Sequence, residues 1–246
     1  MLSLADARRA AILTPTDNLT VDLLLGAFLG QLHSRVHNDS FGLPLPKGQP
    51  PDAFMSWEEV FTGLLDALLI HVQAHEHEYA CLLPYADIRL YLSRAIGASL
   101  FEDVDESSLV WFTGSEEDIF LGFDQAQPRR WTGRVAAILP NVAHALWGDP
   151  LLECFMMGAQ DGEGPTKAFM EGYLGSGGKP LVVFPRQKTK RLWYTVFLAL
   201  VVLTKYGVPD PTAEEEYVKE KRTWARETLK NSVDKLKDAP YSCKPL

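Results

Sequence analysis

Five of the six histidines fall in two short groups, His33-x3-His37 and His71-x3-His75-x-His77. The four-residue step carries a definite chemistry. Side chains four apart on an α-helix stack over one another, so two imidazoles can reach one ion. In the second group, steps of about 100° per residue bring His71, His75 and Glu78 onto the face that also holds Trp57, Val60, Leu64 and Leu68. The opposite face carries Glu58, Glu59, Thr62, Asp66, Gln73, Glu76 and His77, a set suited to solvent. The pattern therefore predicts two imidazoles and a carboxylate aimed at an apolar interior. Such groups need partners, because an unpaired buried polar group costs about 1–3 kcal/mol. A divalent transition metal would satisfy them, zinc by activating a water or iron by offering open coordination positions. Hydrogen bonds inside an ordinary core would satisfy them equally well.

His33 and His37 lie at the boundary of a stripe set by Leu25, Phe28 and Leu32. Asp22, Gly26 and Gly30 share their face, and glycines there let a second helix or a ligand approach closely. Docking of the second helix on that face would gather His33, His37, His71, His75 and Glu78 as metal ligands, with His75 and Glu78 as the acid-base pair, the donor mix of bundle metalloproteins. Three readings follow from the residues. One is a metal-dependent hydrolytic or oxidative enzyme acting on a small molecule. Another is a metal-free enzyme using a His–Glu acid-base pair. The last is a non-catalytic helical protein that binds a protein partner and keeps its histidines as core residues.

Other motifs fail on chemistry. Gly175-Ser-Gly-Gly-Lys179 has the composition of a phosphate loop, but Pro180 stands where a serine or threonine must follow. Asp103, Asp105 and Glu106 lack the calcium-loop spacing and read as a solvated turn. No serine occupies a Gly-x-Ser-x-Gly elbow.

The elements that would position these residues are mostly helical. Val21, Leu24, Leu25, Phe28, Leu32 and Val36 predict an amphipathic helix over 19–37, ended by a proline-rich connector. Ser56 and Glu59 form a capping-box pattern that opens a second helix running to about 81, and a third spans 85–96 before Gly97. β-formers around Gly114-Ser-Glu-Glu predict a hairpin over 109–124, with a further strand at 181–184. Segments 133–147, 151–158 and 165–174 read as short helices. Segment 190–206 mixes β-formers with helical length and is assigned helix. Val218, Ala225, Leu229, Val233 and Leu236 mark a last amphipathic helix within 211–238, followed by a tail over 239–246. The fold expected is mainly α, a helical bundle or array carrying a small two- or three-stranded sheet. Residues 1–210 would form one compact domain, with the last helix packed on it or serving a partner, including a second copy of the chain.

Composition narrows the class further. The 246 residues carry a formal charge of −8, which excludes a general nucleic-acid binder because phosphate contacts require clustered cations. The most apolar run, 192–203, is too short to span a bilayer. Cys81, Cys154 and Cys243 are odd in number and widely spaced, as expected in a reducing compartment. Asp6, Arg8 and Arg9 interrupt the stretch a secretory signal would need, so a cytoplasmic location is expected over a mitochondrial one.

Overall fold

A computed structural model describes residues 1–44, 56–79, 83–112, 114–127, 130–139, 144–157, 164–179, 185–206 and 216–241. In chain order the elements begin with β1 (Leu2–Ser3), α1 (Leu4–Arg9), α2 (Pro15–Arg35), β2 (His37–Asn38), α3 (Trp57–Ala74), α4 (Glu76–Tyr79) and α5 (Tyr85–Gly97). They continue with β3 (Ser107–Val110), β4 (Ile119–Phe123), β5 (Trp131–Ile138), β6 (Leu146–Gly148), α6 (Cys154–Met157), α7 (Lys167–Gly175), α8 (Pro185–Tyr206) and α9 (Glu216–Leu236). The protein is mainly α, with two small three-stranded antiparallel sheets ordered β1-β4-β5 and β2-β3-β6. The chain divides into two compact units, residues 1–53 with 106–181 and residues 54–105 with 182–246.

In the first unit α2 is the central element. Thr14 accepts the Asp17 amide and Asp17 accepts the Thr14 amide, a reciprocal cap completed by Pro15 in the first turn. Leu25 and Leu29 on α2 meet Leu4, Ile119, Leu121, Phe169 and Tyr173 in one core cluster. α2 and α7 cross closely enough that a Cβ on Gly26 would overlap the Phe169 carbonyl, and one on Gly172 would overlap the Leu23 carbonyl. The close approach expected at Gly26 and Gly30 is thus real, and the helix that uses it is α7.

The predicted hairpin over 109–124 does not form. β3 and β4 belong to different sheets, because Phe112 turns the chain through φ +34° and a capped 3-10 turn, Glu116–Asp118, redirects it. β4 pairs instead with β5, in the stretch expected to be helical. Register shifts beside Leu121 break the alternation by which a strand is read from sequence. The strand expected at 181–184 lies outside the described residues.

In the second unit an aromatic cluster joins α3 to α8. The Trp57 indole donates to the Tyr194 hydroxyl at 2.9 Å, and the Phe61 ring lies 4.7 Å from Phe101 and 5.0 Å from Tyr194. Helix is confirmed over 190–206. α9 packs along α8 through Ala225, Leu229, Val233 and Leu236, so its apolar stripe is covered within its own unit. Arg222 Nε donates to the Tyr206 carbonyl at 3.0 Å, satisfying the C-terminal end of α8. Among the described residues no helix is long and apolar enough to cross a membrane.

Candidate functional site

The two histidine groups belong to different units, His33 and His37 to the first, His71, His75 and His77 to the second. α2 ends at Arg35, so His37 sits on β2 and the helical four-residue step from His33 is broken. His37 is exposed, with Nδ1 4.0 Å from the Glu106 carboxylate. Lys179 holds that carboxylate at 2.9 Å, and its hydrogen bond and charge lower the Glu106 pKa below the ordinary value.

His71 and His75 do not point inward as the pattern predicted. His71 is exposed and His75 is half-buried at the C-terminal end of α3. The inward face runs through Trp57, Phe61, Leu65, Leu69 and Val72. Two adjacent lines on α3 are apolar, and the Phe61 line wins because its ring packs among Phe101, Tyr194 and Phe197, leaving the Leu64 and Leu68 line half-buried. The two imidazoles stack with centroids 4.5 Å apart and a tilt of 36°, and His75 Nδ1 lies 2.8 Å from the His71 carbonyl. Glu78 falls on α4, beyond the break at His75, and its side chain lies outside the described residues. Among the described residues no group of three or more His, Cys, Asp or Glu side chains gathers as a metal-holding set.

His33, by contrast, is deeply buried and sits in a polar cluster the sequence reading missed. Its Nε2 lies 3.4 Å from Glu153 Oε1, and its Nδ1 lies 3.2 Å from the Tyr173 hydroxyl. Glu153 is fully buried and accepts the Trp111 amide at 2.6 Å. Burial, reinforced by the Asp149 and Glu153 carboxylates, pushes the Tyr173 hydroxyl well above its ordinary range, so it stays protonated and able to donate. A His–Glu pair therefore exists, but with side chains only 2% and 0% exposed it reaches no ligand. Its effect is positional: it ties α2, α7 and the segment after β3 together. The available signal was a lone carboxylate inside the apolar run Leu151-Leu-Glu-Cys-Phe155.

Among the described residues this unit also holds a cleft of about 380 Å3, lined by Arg8, Asp22, Leu25, Glu116, Phe155, Thr166 and Phe169, among others. Three elements converge on Arg8. Its Nη2 meets Asp22 Oδ1 at 2.7 Å, its Nη1 meets Glu116 Oε1, and its Nε donates to Asn18 Oδ1 at 3.1 Å. Thr166 caps α7 by accepting the Phe169 amide and donates its hydroxyl to Asp22 Oδ2 at 2.9 Å. Both Asp22 oxygens are thus engaged, one by a cation and one by a hydroxyl. Ser115 and Asp118 cap each other and fix the turn that carries Glu116. The Cys154 thiol donates to the Phe112 carbonyl, pinning the same loop from the other side. Gly114 contributes the remaining closeness, since a Cβ there would strike the Trp111 ring at 2.7 Å. The result is a polar mouth of one guanidinium and two carboxylates over an apolar floor of Leu25, Phe155 and Phe169, the composition of a small-molecule site. Compared with known protein families and with curated proteins, the sequence matches none.

Proposed function

We propose that the first unit binds a small organic molecule in the Arg8–Asp22–Glu116 cleft. The observation that supports this is a charged clamp in which Thr166 holds Asp22, Asn18 holds Arg8 and a capped turn fixes the backbone that carries Glu116. Fixed polar groups above an apolar floor lose little freedom when a ligand arrives, so their interactions go into affinity. The test is a fragment screen by amide chemical-shift mapping on the folded protein. Fragments that bind are expected to shift the amides of Gly114, Ser115, Gly164 and Phe169 together, and Phe155→Ala, which removes part of the floor, is expected to weaken them. A screen in which no fragment moves these amides at millimolar concentration removes the proposal.

A second reading, metal binding on α3, is favoured by the 4.5 Å stacking of His71 and His75. Rotation of the rings out of this stack would aim both Nε2 atoms, as a bidentate clip, at one zinc or other divalent transition ion while His75 Nδ1 stays against the His71 carbonyl. Zinc titration followed by NMR of the imidazole resonances tests it. Saturable shifts that vanish in the folded His71→Ala/His75→Ala variant support the clip, and unshifted rings at millimolar zinc remove it.

A further inference from the structure

The cleft's charges select among ligand classes, and the inference drawn from them rests on the proposal that the cleft binds a small molecule. We infer that its ligand is an organic cation, an ammonium or guanidinium group carried on an apolar body. The mouth holds two carboxylates against one guanidinium, so its own charge is −1 after Arg8 is counted. An anionic ligand would have to compete with Asp22 and Glu116 for Arg8, whose nitrogens are already committed to three acceptors. A cation has to share the carboxylates with Arg8, but among the described residues Arg8 takes only Oε1 of Glu116, and Oε2 is the oxygen a cation can approach. Glu116 is the more accessible carboxylate, its side chain 37% exposed against 15% for Asp22. Two further acidic residues, Glu117 and Asp118, share its turn.

The charge of the unit acts in the same direction. Residues 1–53 and 106–181 hold fifteen acidic and nine basic side chains, a charge of −6, whereas the other unit holds seventeen and fifteen, a charge of −2. Three-quarters of the chain's excess negative charge therefore belongs to the unit that holds the cleft. A one-signed field around a concave site with apolar walls concentrates ligands of opposite charge. Phe155 and Phe169 add apolar and aromatic surface for the ligand's body. With Arg8 between them, the two carboxylates do not share a bare metal ion, which distinguishes this site from a cation site of the inorganic kind.

Three probes with one phenylethyl body separate the possibilities: 2-phenylethylammonium, the neutral 2-phenylethanol and the anionic 3-phenylpropionate. Amide shifts of the intact protein are titrated at low salt and again at 0.5 M sodium chloride. The cation is expected to bind at least about tenfold more tightly than the alcohol at low salt, the ratio shrinking in high salt as the charges are screened. Glu116→Gln is expected to remove most of that ratio while leaving alcohol binding in place. Glu117→Gln, an equal charge change on an exposed neighbour that does not line the cleft, is expected to leave most of it. Equal or tighter binding of the alcohol or the anion overturns the cation assignment while the cleft itself stands. Equal losses in the two glutamine variants overturn it too, since the selectivity would then belong to the general field. If none of the three probes shifts the cleft amides, this inference fails, and the broader fragment screen decides whether the cleft reading falls with it.

Discussion

Replacing Gly26 with alanine sets two effects of opposite sign against each other. In a helix interior alanine is favoured over glycine by about 1 kcal/mol, because it loses less backbone entropy on ordering. At Gly26 the added methyl would overlap the carbonyl oxygen of Phe169 and come within 3.0 Å of the Tyr173 amide nitrogen. Both are backbone atoms, so no rotamer change relieves the clash and α7 must move away from α2. Overpacking of this kind costs about 1–3 kcal/mol, and the upper end applies where backbone has to shift. About 3 kcal/mol lost against about 1 kcal/mol gained leaves the Gly26→Ala protein about 2 kcal/mol less stable. Among the described residues outside its own helix, none places an atom within 4 Å of a Cβ built on Gly63 of α3, so Gly63→Ala should stabilise by up to about 1 kcal/mol. Urea unfolding followed by circular dichroism reads both. With a slope of about 2 kcal/mol per molar, the midpoint should fall by about 1 M for Gly26→Ala and rise by up to about 0.5 M for Gly63→Ala. A Gly26→Ala midpoint at or above that of the parent protein would refute the close crossing of α2 and α7.

Glu153→Gln keeps the side chain's shape and an acceptor for the Trp111 amide but removes the charge facing His33, and should lower unfolding free energy by about 1–3 kcal/mol in the same assay. Lys190 is buried with its ammonium 2.6 Å from Asp103, whose side chain is half-exposed, so Lys190→Ala should cost about 2 kcal/mol and Lys190→Met, which restores the packing, measurably less. The Tyr173 hydroxyl has its pKa raised by folding, so its contribution to stability is complete below the unfolded value of about 10 and is lost as pH rises through the higher folded value. Unfolding measured from pH 8 to 11.5 should therefore show a decline that Tyr173→Phe reduces, and identical slopes in the two proteins would contradict the assignment.

Long periodic segments were legible in the sequence. α2, α5, α8 and α9 were each expected within a few residues of where they lie, because an apolar stripe is a local property, whereas α3 stops at Ala74, short of the expected 81, and Ser56 makes no side-chain cap bond at its start. α2 starts at Pro15 rather than at 19, because the Thr14/Asp17 cap and Pro15 lie ahead of the first residue of its apolar stripe. The facing of α3 was not decided locally. Its helix is apolar on two neighbouring lines, and only the aromatic partners Phe101, Tyr194 and Phe197, distant in sequence, choose between them. The predicted line is buried at Trp57 and Val60, but towards its end, at Leu64, Leu68 and His71, it turns away from the core and the neighbouring line takes over. The sheets were hardest to read, as their strands pair across long loops and β4–β5 carries two register shifts. Of the cleft, Asp22 stood out in the sequence, but Arg8, Glu116 and Thr166 are separated by up to 158 residues and nothing local announces that they meet.

The two compact units are interleaved along the chain, each assembled from two separated stretches. During translation α2 emerges early, yet the helix that covers its glycine face begins at Lys167, about 130 residues after α2 ends. At roughly 5–20 residues per second the nascent protein waits on the order of ten seconds with that face of α2 uncovered. Likewise α3 must wait for α8 before its aromatic face is shielded. Neither half is excisable as one continuous fragment, so expression of residues 1–105 alone should yield an aggregating or chaperone-bound polypeptide, and faithful maturation depends on holding early segments open until late ones arrive.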